Sequence, residues 1–127
     1  MRRLFGSLTA TAALLAAGCD SGPDGPGNLV GSVQSPSASL GGVVIEVVGP
    51  AIEDFSGEGG TRVFWARQED PGVFRVIAVA EGGGSLNFTA SVQERSGKLP
   101  RATVISAVDS QNRPLPVTTE YKVRFRR

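Results

Sequence analysis

The sequence predicts an all-β fold, a single small antiparallel β-sandwich of about seven strands. Three observations point there. Short runs rich in Val, Ile, Phe and Thr recur through residues 28–126, separated by turns that carry Gly or Pro at intervals of about 8 to 15 residues. No segment holds the apolar spacing of three and four that an amphipathic helix needs. Two of the runs alternate apolar and polar side chains with a period of two, as a strand with one buried face does.

The N-terminus is a different kind of segment. Met1-Arg2-Arg3 followed by "LFGSLTATAALLAA" has the basic start and short apolar stretch of a secretory signal. The apolar run, about fourteen residues, falls short of the roughly twenty that a transmembrane helix requires, so cleavage is expected. The run ends in "LLAAGCD", where Ala16, Ala17 and Gly18 precede Cys19, the only cysteine of the chain, with Leu15 just upstream. These residues resemble the lipobox of bacterial lipoproteins. The resemblance implies that the Cys19 thiol is diacylated, that the chain is cut after Gly18 and that the new amino group is acylated. Residues 1–18 are then a lipoprotein signal peptide, the first partner is a membrane, and the location is a bacterial cell envelope facing the periplasm or the cell surface. Two or three acyl chains on one residue anchor stably where one does not, each buried methylene adding about 0.8 kcal/mol. The alternative, an ordinary signal cut nearby, leaves Cys19 as a free thiol or an intermolecular disulfide partner.

After Cys19, "DSGPDGPGN" has no apolar side chain to bury, so residues 19–28 read as the lipidated cysteine and a flexible tether, and residues 29–127 as the domain. As coil, the stretch reaches about 17 Å, enough to lift a domain off lipid headgroups.

The expected strands are residues 28–34, 42–49, 61–68, 72–81, 85–93, 102–109 and 119–126. In 85–93, Leu86, Phe88, Ala90 and Val92 face one way, and Ser85, Asn87, Thr89, Ser91 and Gln93 the other. In 119–126, Tyr121, Val123 and Phe125 oppose Lys122, Arg124 and Arg126. The run "VFRVIAVA" is apolar on both parities except for Arg75, as expected of a central strand covered on both faces or lying at the densest point of the domain. Asp70-Pro71-Gly72 suits a type II turn and should make a hairpin of the third and fourth strands. The segment "GPAIEDFSGEGG" reads as a connection.

Charge and composition narrow the function. The chain has 13 basic and 12 acidic side chains, and loss of Arg2 and Arg3 with the signal leaves one more acid than base. No overall field points to nucleic acid. Histidine is absent, which removes Ser-His-Asp and Cys-His nucleophiles and His-based zinc sites, so no enzyme activity and no cofactor are expected. Glu53, Asp54 and Glu58, and Glu69 with Asp70, read as solvated acidic loops, because neither spacing matches a calcium loop. Ser96 and Lys98 read as part of a polar connector.

Two features could contact a ligand. Phe64 and Trp65 are adjacent in one strand, so they point to opposite faces; an exposed aromatic such as Trp65 could stack on a sugar unless the 51–60 segment covers it. The stripe Lys122, Arg124 and Arg126 could meet anionic headgroups, lipopolysaccharide or an acidic polymer, or simply protect a sheet edge.

The run "GGGSLNFTASVQ" followed by "PRATVISAVDSQNRPLP" resembles the C-terminal half of cohesin-type and related carbohydrate-binding β-sandwiches. That resemblance implies an immunoglobulin-like sandwich used for extracellular, non-catalytic adhesion to a glycan or an envelope protein. The expected function is therefore a lipid-anchored binding or adhesion module. The alternative is an accessory structural subunit of an envelope complex.

Overall fold

A computed structural model of the protein describes residues 25–81 and 83–127, so the expected signal peptide and Cys19 lie outside the described residues. The strands are β1 (Gly27–Gln34), β2 (Leu40–Val48), β3 (Ile52–Gly57), β4 (Thr61–Arg67), β5 (Val73–Ala80), β6 (Asn87–Val92), β7 (Arg101–Asp109), β8 (Pro114–Leu115) and β9 (Lys122–Arg126). They build two sheets, β3-β6-β1-β9 and β4-β5-β2-β7-β8, with every pairing antiparallel. The all-β sandwich read from the sequence is the architecture observed.

The alternating runs set the inner faces. From β6, Phe88, Ala90 and Val92 are buried, and from β2 and β5 so are Val43, Ile45, Val47, Phe74, Val76 and Ala78. Phe55 meets Phe74 and Trp65 edge-on at centroid distances of 5.3 and 5.5 Å, and Phe88 meets Phe125 at 5.7 Å. Gly31 pairs with Phe88, and a Cβ on Gly31 would come within 2.5 Å of the Phe88 ring, so the ring occupies the space that the missing side chain leaves. The hairpin at Asp70-Pro71-Gly72 forms as the turn chemistry requires: the Val73 N–H donates to the Asp70 carbonyl at 3.2 Å, and Gly72 takes φ +77°.

Three elements differ from the sequence expectations. The segment read as a connection contains β3, an edge strand whose Ile52 and Phe55 are buried. A bulge between Ile52 and Asp54 places these two apolar residues three apart, which breaks the period of two that would have revealed a strand. The two-residue β8 was likewise inside an expected connection. Finally, β5 is covered on one face only. Its inner residues are buried, whereas Ile77 on the outer face is 40 % exposed. At the start of the domain, Gly27 and Asn28, counted with the tether, pair with Val92 and Ser91.

Candidate functional site

The basic stripe lies at the edge formed by β7 and β9, whereas Trp65 stands on β4 at the far side of the five-stranded sheet. β9 is the outer strand of the four-stranded sheet, and its alternation sends Lys122, Arg124 and Arg126 to solvent while Val123 and Phe125 pack against the core beside buried Tyr121. Arg124 Nε donates to the Gln34 side-chain carbonyl at 3.2 Å. Among the described residues none of the three cations has a salt-bridge partner; the ion pairs present are Arg62 with Glu81, Arg75 with Glu46 and Arg113 with Asp109.

In the other sheet, β7 pairs with β2 along its whole length, but on its outer side β8 reaches only Ala107 and Val108. Pro116, directly after β8, has no N–H to donate, so the ladder stops there. The outer edge of β7 from Arg101 to Ser106 therefore has no strand hydrogen-bonded to it among the described residues, although β9 of the other sheet packs nearby. Along this edge runs an open groove of about 690 Å³, with Ala102, Val104, Tyr121 and Val123 on its core side and Thr103, Thr118, Lys122 and Arg124 around it. A further hollow of about 460 Å³ shares Ala102, Thr103 and Val123 and extends the groove to Arg101, Pro100 and Val48. No acidic side chain lines either part.

Trp65 and Phe64 do point to opposite faces. Trp65 is the partly buried one: its ring lies against Phe55 and Phe74, its indole N–H donates to Asp54 Oδ1 at 3.1 Å, and the Arg67 guanidinium sits 5.9 Å from its centroid. β3, within the segment named as a cover, supplies Phe55 and Asp54. The aromatic open to solvent is Phe64, 56 % exposed on the outer face of the five-stranded sheet, in register with Ile77 on β5, which in turn pairs with Val44 on β2.

Two of the candidate loop carboxylates, Glu53 and Asp54, have structural partners, and so do Glu94 and Asp109. Glu53 accepts from the Gln93 side-chain amide, and Asp54 from Trp65. The Ser96 hydroxyl donates to Glu94, not toward Lys98; with the Gly25 and Ser96 N–H groups and nearby Arg95, this holds the Glu94 carboxyl below the usual range. Asp109 is also lowered, first by the Arg113 N–H at 2.8 Å, then by the Gln111 N–H at 2.9 Å and the Arg113 guanidinium. These bonds close the turn from β7 to β8. Among the described residues no group of three or more Cys, Asp or Glu side chains is placed to hold a metal ion.

At one end of the sandwich the chain enters beside the basic C-terminus. The Arg95 N–H donates to the Gly25 carbonyl, and the Arg127 guanidinium donates to the Arg95 and Gly97 carbonyls.

The groove was not foreseen from the sequence. Its signals were Pro114 within and Pro116 directly after a two-residue strand, and "ATVIS", a run with no charge to protect an edge. In comparisons with known proteins, no family model matches the chain, and no curated protein or solved structure matches it.

Proposed function

We propose that the protein is a non-catalytic binding module of a bacterial cell envelope, held to a membrane by lipid on Cys19, with the β7–β9 edge as its surface for an anionic ligand. One observation carries this reading: Lys122, Arg124 and Arg126 share a solvent-facing stripe without an acidic partner among the described residues. Cations left unpaired along one strand present a field that opposite charge can satisfy. The entry of the chain beside Arg127 supports the anchoring part, because a lipid upstream of Gly25 would hold this basic end close to the headgroups.

The test has two anionic probes, vesicles of equal parts phosphatidylglycerol and phosphatidylcholine, and soluble polyglutamate. Arg124→Glu combined with Arg126→Glu is expected to weaken binding to at least one probe about tenfold or more, and added salt should weaken it for the unaltered protein. Unchanged binding in both arms, with the circular dichroism of a folded domain, would return the stripe to the role of a charged edge that blocks sheet-to-sheet pairing.

A second reading, an accessory structural subunit of an envelope complex, is favoured by the outward row of Phe64, Ile77 and Val44. It predicts membrane partners that co-purify from detergent-solubilised envelopes and are lost on Phe64→Glu.

A further inference from the structure

We propose that the free edge of β7 from Arg101 to Ser106 accepts an extended acidic segment of another polypeptide, which adds as a strand in the row that β8 vacates at Pro116. The inference rests on the reading of the domain as a binding module and names the class of its ligand.

The backbone makes the first part of the argument. A strand paired on one side only presents alternate N–H and C=O groups outward, and these bind a second extended chain as readily as they bound the first. Folded proteins usually block such edges with charge, proline or bulges. The other edges here follow that practice: β9 carries three cations, β3 carries Glu53, Asp54 and a bulge, and β4 carries Arg62 and Arg67. The open part of β7 reads Arg101-Ala102-Thr103-Val104-Ile105-Ser106, with one charge at its end and three consecutive β-branched residues. Its one irregularity lies where Val44 pairs with Ser106 and Ile45 with Val104, leaving Ile105 extra, so regular pairing is confined to Arg101 through Val104. A partner strand of about four residues fits that length.

The side chains make the second part. An added strand would turn alternate residues toward the core side of the groove, where Ala102, Val104, Tyr121 and Val123 lie. At its rim are Arg101, Lys122 and Arg124, with no acid in the lining. Backbone pairing supplies affinity without sequence preference, the apolar side accepts small branched residues, and the cations select carboxylates.

The experiment uses a labelled peptide alternating valine and glutamate, titrated with the purified protein. Two further peptides carry N-methyl groups on alternate residues, one on each parity. A strand added to a single edge uses only one parity of its N–H groups, so one N-methylated peptide should bind about tenfold or more weaker and the other nearly as well as the parent. A valine–lysine peptide, and the parent peptide against Lys122→Glu with Arg124→Glu, should also lose at least about tenfold. Equal behaviour of the two N-methylated peptides would overturn strand addition. If polyglutamate binding survives alongside that result, only the mode of binding fails; if binding to both polyglutamate and phosphatidylglycerol vesicles is absent too, the binding-module reading fails with it. Binding confined to phosphatidylglycerol vesicles would overturn the inference in favour of a membrane-facing rim. Concentration-dependent dimerisation that the parent peptide does not compete would overturn it in favour of a second copy of this chain on the β7 edge.

Discussion

Aromatic side chains in this protein have opposite fates according to which face of its strand each one occupies. Phe88 is fully buried between the sheets, while Phe64 is more than half exposed. Phe88→Ala is therefore expected to cost about 3 to 5 kcal/mol, a large part of the stability of a small domain. Phe64→Ala should change it by no more than about 0.5 kcal/mol, and Asn87→Ala, on the outward parity of β6, should also cost little. Urea unfolding of the three variants checks the register directly. Two carboxyls add a pH dependence. Glu94 and Asp109 are both lowered from their ordinary values of 4.5 and 3.8 by the N–H and hydroxyl groups that donate to them. Their contribution is present above those values and is lost as pH falls through the lower values of the folded state. The urea midpoint should drop on acidification through that window, and Asp109→Asn should flatten part of the drop.

At the scale of elements, β3 shows how a strand is held when its own pattern is weak. Its ladder with β6 is interrupted by the bulge, and Phe55 and Asp54 fasten it across the sandwich to Phe74 and Trp65. Phe55→Ala should remove the centre of this aromatic cluster at a cost of about 3 to 5 kcal/mol. Trp65, the only tryptophan, reports it: its emission should shift to the red as its partly buried ring becomes wet. An unshifted spectrum would mean that β3 is held by its ladder alone. Another cross-sheet tie is Thr61, which donates to the Ser85 carbonyl at 3.4 Å and accepts from the Asn87 N–H at 3.3 Å, joining the start of β4 to that of β6.

For the whole molecule, the proposed anchor and the proposed binding edge would act together. A weak contact at β7 or β9 becomes effective when lipid confines the domain near its partners, because the second contact is then made at high local concentration. Cys19→Ser is expected to move the protein from the membrane to the soluble fraction while leaving the folded domain unchanged by circular dichroism. An intact mass showing an unmodified Cys19 in the membrane fraction would contradict the anchor.

The sequence by itself determined the fold class, the parity of β6 and β9, the hairpin at Pro71-Gly72 and the opposition of Phe64 to Trp65, since each depends on a few neighbouring residues and the fixed period of a strand. It also marked Lys122, Arg124 and Arg126 as a solvent-facing stripe. Only the tertiary structure decided which adjacent aromatic stays open, because Trp65 is covered by Phe55 and Asp54 from a strand that its bulge had hidden. Only it decided that β5 is bare on one face, since apolar character records what a residue tolerates and not whether another layer lies over it. The free edge of β7 was beyond local reading for the same reason: an edge is an absence of neighbours, and neighbours are fixed by strand order across the whole sheet.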